Sequence, residues 1–96
     1  LADIATDIDA ARWMTYHAAW KCDQGQRYTR DAAMVKLFAT DMLGRVADRA
    51  VQLFGGRGYS KDYPIERFYR DARILRIYEG TNEVQRMVIA GDLLRG

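Results

Sequence analysis

The sequence predicts an all-α chain, an up-and-down helical bundle of about four helices. Three observations carry that expectation. Apolar residues recur at alternating spacings of three and four over long stretches, which is how a helix with one buried stripe is written. No strand-type alternation of convincing length occurs anywhere. Punctuation is sparse, with one proline, Pro64, and the tightest glycine group at Gly55, Gly56 and Gly58, so long segments run uninterrupted.

The first helix is expected from Leu1 to about Asp23, with Leu1, Ile4, Ile8, Ala11, Thr15, Ala18 and Cys22 as its stripe. Trp13, Tyr16 and Trp20 lie on a second face, which implies contact with more than one neighbour. Gln24-Gly25-Gln26 ends this helix. A second helix is expected from about Asp31 to Phe54, with Val35, Phe38, Met42, Val46 and Leu53 on one face and Leu43, Ala47, Val51 and Phe54 widening it. At about 1.5 Å per residue each would be about 30 Å long, and the short polar turn between them suggests an antiparallel hairpin. Gly55-Gly56-Arg57-Gly58 stops the second helix. Pro64 reads as a first-turn proline opening a shorter third helix through Ile65, Phe68, Ala72 and Leu75. Its outer side carries Glu66–Arg70 and Arg67–Asp71 at i,i+4, a solvated charged face. Arg76 to Gly80 reads as a connector, and Asn82 with Gln85 resembles a capping box opening a last helix through Val84, Met87, Val88, Gly91 and Leu94.

Composition narrows the function classes. The chain has 96 residues, enough for one small domain. Fifteen basic and thirteen acidic residues give a net charge of +2, too balanced to imply nucleic acid or an anionic membrane. No apolar run reaches the roughly 20 residues of a membrane span, and no signal-peptide pattern opens the chain. Cys22 is the only cysteine, which excludes an internal disulfide and favours a reducing compartment, cytoplasmic or, in a eukaryote, the mitochondrial matrix. The start at Leu1, directly in a helical pattern, suggests a fragment of a longer protein.

Metal and nucleophile templates fail. His17 is the one histidine and reads as a packing or surface residue. Cys22 has no partner at metal-ligand spacing and reads as a buried thiol. Trp13, Tyr16, Trp20 and Phe38 read as core. Two segments behave unlike ordinary linkers. Gln52 to Tyr59 can be a helix C-cap, with glycine in the left-handed conformation, or an anion cradle of glycine N–H groups beside Arg57. Helix polarity favours the cap, because carbonyls at a helix C-terminus repel phosphate. Ile77 to Glu83 places Glu79 before a helix start, where an acid complements the dipole but where it can also serve as a general base. Gly80 beside it lets another molecule approach the backbone, and Thr81 and Asn82 set short polar groups near free helix N-terminal amides.

Taken in order, the blocks Gln52-Leu53-Phe54-Gly55-Gly56-Arg57-Gly58-Tyr59, Asp62-Tyr63-Pro64-Ile65-Glu66-Arg67, Tyr69-Arg70-Asp71-Ala72-Arg73-Ile74 and Ile77-Tyr78-Glu79-Gly80-Thr81-Asn82-Glu83-Val84-Gln85-Arg86 closely resemble the acyl-CoA dehydrogenase family. The resemblance covers residues 1–96, mainly as helical pattern before residue 51 and as motif after it. It implies that the chain is a partial C-terminal helical domain, lacking at least its first helix, from a homo-oligomer (dimer or tetramer) that holds FAD non-covalently. By the same resemblance Gln52, Leu53, Phe54, Gly55 and Gly56 contact a neighbouring subunit's FAD, whereas Thr81, Asn82 and Glu83 contact the subunit's own. Glu79 is implied as the catalytic base and Gly80 as the residue against the acyl thioester. The implied reaction is α,β-dehydrogenation of an acyl-CoA to a trans-2-enoyl-CoA, with electron-transfer flavoprotein as acceptor. The thioester oxygen is then polarised by the Glu79 backbone N–H and a flavin ribityl hydroxyl. Family members with the base on an earlier helix carry a small residue where Glu79 stands, which argues against that subset. The segment alone is expected to be inactive. An acyl-CoA oxidase-type relative and a non-catalytic helical interaction module are the alternatives.

Overall fold

A computed structural model describes residues 1–96 as four α-helices and two 3₁₀ turns, with no strand. α1 spans Ala2–Asp23, α2 Thr29–Phe54, α3 Ile65–Arg73 and α4 Asn82–Leu94; the 3₁₀ turns are Gly55–Tyr59 and Ile74–Arg76. Three expected boundaries move. α2 starts at Thr29 rather than Asp31, Pro64 caps α3 instead of lying inside its first turn, and α4 is capped by Thr81 rather than Asn82. The Thr81 hydroxyl accepts the Val84 N–H at 3.2 Å, because the Asn82 side chain is drawn inward by another helix.

α2 is the axis against which the other helices pack. α1 and α2 form the expected antiparallel hairpin, turned at Gly25, whose φ is +69°. Lys21 pairs with Asp31 at 3.0 Å beside the turn, and Asp3 approaches Arg49 at 3.7 Å at the far end. α4 runs back along α2: Arg86 reaches Asp41 at 3.4 Å, and Asp92 pairs with Arg27 and, at 3.6 Å, with Arg30. α3 sets Ala72 into the core. The following turn lays the Arg76 guanidinium over Gly44, whose absent Cβ would sit 3.3 Å from Arg76 Cζ. The outer face of α3 carries both expected pairs, with Arg70 gripping Glu66 at 2.8 and 3.2 Å and Arg67 reaching Asp71 at 3.4 Å.

The core is built from small residues. Ala11, Ala18, Ala33, Ala47 and Ala72 are buried together with Met42, so the helix axes can approach closely. Burial on α1 follows Ile4, Asp7, Ala11, Met14, Ala18 and Lys21. That stripe keeps the three-four spacing of the expected one but is rotated off Ile8, Thr15 and Cys22. Cys22 is exposed, not buried. The expectation of a core role for Trp13, Tyr16 and Trp20 is also corrected: they are 64%, 56% and 52% exposed, on a face that nothing in this chain covers. Trp13 and Tyr16 meet edge to face at 6.0 Å, and His17 stacks on Trp20.

The Lys21–Asp31 pair gives the hairpin a pH signature. The hydrogen bond from Lys21, reinforced by the charges of Lys21 and His17, holds the Asp31 carboxyl below the ordinary carboxylate range against a smaller opposing effect of burial. A depressed folded-state pKa stabilises the fold above the unfolded value, near 4, and the contribution is lost as pH falls through the lowered one. Asp31→Asn is therefore expected to cost about 0.5–1 kcal/mol at neutral pH. The difference from the parent should close in acid denaturation as the pH falls through the lowered value. An undiminished difference there would assign the effect to packing.

Candidate functional site

The Glu79–Glu83 segment is the most constrained piece of irregular backbone in the chain. Glu79 has φ +57°, the only non-glycine residue with positive φ, and Gly80 follows at φ +83°. A left-handed non-glycine residue costs about 1–2 kcal/mol and persists only where its surroundings hold it. Here they do. Gln85 Nε2 donates to the Glu79 carbonyl at 3.3 Å and to the Gly80 carbonyl at 3.4 Å. Lys36 Nζ, reaching across from α2, donates to the Gly80 carbonyl at 2.9 Å. A Cβ on residue 80 would lie 2.8 Å from Gln85 Nε2, the movable end of a flexible side chain, so it is the positive φ rather than space that requires glycine there.

Asn82 anchors the segment. It is 3% exposed and is the one buried polar side chain. Its Oδ1 accepts from Lys36 Nζ at 2.6 Å, while its Nδ2 donates to Asp41 Oδ1 at 2.7 Å and Thr40 Oγ1 at 2.9 Å. The amide orientation is dictated by these partners, an ammonium on one side and a carboxylate on the other. Thr40 closes the cluster by donating to the Lys36 carbonyl at 2.7 Å. The Asn82 side chain is thus spent on α2, and its backbone N–H is left without a hydrogen-bond partner in the chain. With the Glu83 N–H it belongs to the first turn of α4, where amides have no helical partner.

Glu79 itself is exposed, and its carboxylate takes part in none of the chain's ion pairs. Glu66, Asp31, Asp41 and Asp92 are all engaged by cations. Glu83 and several aspartates are likewise unpaired, so what sets Glu79 apart is the positive-φ backbone that carries its free carboxylate. Beside Thr81 and Glu83 an open cleft of ≈ 430 Å³ is flanked by Arg45, Arg73, Arg76 and Arg86.

The second candidate segment lies at the far end of α2. Gln52, Leu53, Phe54, Gly55 and Gly56 are all exposed. Gly55 caps the helix with φ +67° and ψ −147°, its N–H returning to the Gln52 and Val51 carbonyls. Positive φ was expected, but this ψ lies outside the left-handed helical well, in a region open essentially to glycine alone. A Cβ added to Gly55 or Gly56 would meet no atom of this chain within 4 Å, so the notch faces outward. Gly58 is the opposite case, with Val51 O 2.7 Å from where its Cβ would be. From Lys36, which holds the Glu79 turn, to Gln52 is about 24 Å along the helix at 1.5 Å per residue. The two candidate segments are therefore not one contiguous surface.

Lys36, Thr40 and Asp41 were not among the residues singled out from the sequence, and Gln85 was read only as the capping-box partner of Asn82. A signal existed in α2, where Lys36, Thr40 and Gly44 form an i, i+4, i+8 stripe of polar or absent side chains on a helix otherwise rich in apolar residues. That stripe receives Asn82 and Arg76.

Residues 1–94 match the family model described as acyl-CoA dehydrogenase, C-terminal domain. The chain belongs to the acyl-CoA dehydrogenase family, whose members are FAD-dependent flavoprotein oxidoreductases. It is 55% identical over 95 residues to the short-chain-specific acyl-CoA dehydrogenase of Megasphaera elsdenii, spanning 99% of this chain and 25% of that protein. The butyryl-CoA dehydrogenase structure from the same organism superposes with a TM-score of 0.95 at 54% identity, covering 98% of this chain and 24% of that one. A chain in a structure described as the electron transferring flavoprotein of Acidaminococcus fermentans gives a TM-score of 0.96 at 53% identity, over 99% and 25% of the two chains. The sequence thus spans about a quarter of the length of the relatives it matches. No helix is long and apolar enough to cross a membrane.

Proposed function

We propose that this chain is the base-bearing part of a full-length flavoenzyme that converts an acyl-CoA thioester to its trans-2-enoyl-CoA, with Glu79 as the group that removes the α-proton. The observation that carries this reading is the unpaired Glu79 carboxylate on a positive-φ turn held by Lys36 and Gln85, inside the stretch matched by the family model. A base must keep its lone pair available while its backbone is fixed, and this turn meets both conditions.

Gly80 leaves the backbone bare beside Glu79, so a thioester can lie against it. The Glu79 N–H is the donor in reach of the thioester oxygen, where it would stabilise the negative charge that develops as the α-proton departs. FAD, when bound, supplies the acceptor for the β-hydride. The residues present fit such a group in two places. The outward glycine notch with Gln52, Leu53 and Phe54 suits an extended cofactor from a second subunit. The free amides of Asn82 and Glu83, beside Thr81, suit polar oxygens of the subunit's own. The roughly 24 Å between these segments supports their serving different cofactors and hence a homo-oligomer. The uncovered Trp13–Tyr16–Trp20 face suits the first helix of the same bundle, contributed by residues that precede this segment in the whole protein. Electron-transfer flavoprotein is the proposed electron acceptor. The exposed, lone Cys22 agrees with a reducing cytoplasm or mitochondrial matrix.

The test is anaerobic mixing of the full-length holoenzyme with a saturated acyl-CoA. Bleaching of the flavin with stoichiometric trans-2-enoyl-CoA is the expected result, and no bleaching by acyl-CoAs of any chain length would refute it. Rapid oxygen consumption under turnover would instead mark an oxidase.

A further inference from the structure

We propose that Lys36 is the positioning residue for the Glu79 base, a role that rests on the reading of Glu79 given above. The argument starts from the cost of the turn. Two successive residues with positive φ, one of them a glutamate, do not hold themselves in place. Local sequence supplies one restraint, Gln85, whose contacts with the Glu79 and Gly80 carbonyls are long, at 3.3 and 3.4 Å. The short contact is the Lys36 ammonium on the Gly80 carbonyl at 2.9 Å, a charge-assisted bond from a residue 44 positions away.

Lys36 is itself held. Asn82 Oδ1 accepts a second of its protons at 2.6 Å, and Asn82 is in turn fixed by Asp41 and Thr40. One ammonium therefore ties the Gly80 carbonyl to the buried amide that seats the first turn of α4. The Glu79 side chain leaves the backbone at one end of this tie, and the helix that carries Thr81 and Glu83 begins at the other. Removing the ammonium leaves only the weak Gln85 contacts to keep the glutamate left-handed. The φ of residue 79 is then free to relax, swinging the carboxylate away from where the tie now fixes it. No other cation is recorded within bonding distance of either turn carbonyl. Lys36 does not touch substrate in this account; it acts through the geometry of the base.

The experiment uses the full-length holoenzyme and four variants: Lys36→Met, Lys36→Arg, Glu79→Gln and the Lys36→Met/Glu79→Gln double. Read-outs are FAD content, the acyl-CoA concentration giving half-maximal bleaching, the bleaching rate at saturation, and exchange of the substrate α-proton with deuterium oxide. Lys36→Met is expected to slow saturated bleaching and exchange together by about 10²-fold, the scale of an ångström's misplacement. FAD content and half-saturation should stay within about threefold, and Lys36→Arg, which keeps a charged donor, should recover most of the rate. In the Glu79→Gln background Lys36→Met should change the residual rate less than about threefold, since a residue acting through the base has nothing left to position. If Lys36→Met fails to fold, Gln85→Met, which removes the other donor to the turn, must show the same split at about 10-fold. Wild-type bleaching in Lys36→Met beside an inactive Glu79→Gln would overturn the positioning role and leave the base assignment standing. Equal losses from Lys36→Met in both backgrounds would reduce Lys36 to a structural contact. Near-normal bleaching by Glu79→Gln would remove the base and this role with it.

Discussion

Glu79→Gln in the full-length enzyme should leave a protein that binds both of its small molecules and scarcely reacts. Glutamine keeps the size of the side chain and the backbone N–H, so the thioester oxygen retains its donor. The φ of residue 79 is held by Lys36 and Gln85 through carbonyl groups, which the substitution does not alter. Gln52, Gly55, Gly56 and Thr81 are untouched, so FAD should be retained. What disappears is the basic carboxylate proposed to accept the α-proton. General-base catalysis is worth about 10²–10⁴-fold, and bleaching of the flavin should slow by that factor or more with half-saturation little changed. A large loss of FAD or of acyl-CoA affinity would show that Glu79 contributes binding rather than base chemistry.

Asn82→Leu should be the most destabilising single change near the site. Leucine matches asparagine in shape but leaves Lys36 only the Gly80 carbonyl, leaves Asp41 only the longer contact from Arg86 and takes from Thr40 its donor, in a position only 3% exposed. Hydrogen bonds to charged groups contribute about 1.5–3 kcal/mol each and neutral ones about 1, and an orphaned partner that solvent reaches recovers part of this. A net loss of about 2–4 kcal/mol follows. It should appear as a lower thermal midpoint of the full-length protein, accompanied by slower bleaching because Lys36 loses its anchor. An unchanged midpoint would mean that the Asn82 cluster holds nothing that water cannot.

The helices were legible because their boundaries are chemical. Gly55, which must take a positive φ with an extended ψ, and Pro64, which cannot continue a helix backwards, are visible in any reading of the chain. Which face of α1 is buried was less so. Ile8, Thr15 and Cys22 continue an acceptable three-four pattern, yet the half-buried positions are Asp7, Met14 and Lys21, which share a face with the buried Ala11 and Ala18. The cap of α4 was misplaced by one residue. Thr81 and Asn82 are both good capping residues, and only the position of α2 decides that asparagine turns inward. The motif around Glu79 was legible as a motif; the machinery that holds it was not. Lys36, Thr40 and Asp41 meet Asn82 across more than 40 residues of sequence, and no local periodicity encodes such a contact. The exposed tryptophans mark the same boundary from the other side, since their hydrophobicity points to a partner that residues 1–96 do not contain.

The central claim, that Glu79 removes the α-proton, is tested most directly by watching that proton. Full-length holoenzyme incubated in deuterium oxide with an acyl-CoA should wash deuterium into the α-position, as read by mass spectrometry of the recovered thioester. The Glu79→Gln enzyme, with FAD and acyl-CoA still bound, should exchange about 10²–10⁴-fold more slowly. Exchange within about tenfold of the parent would contradict the account and require the base to come from another helix of the protein.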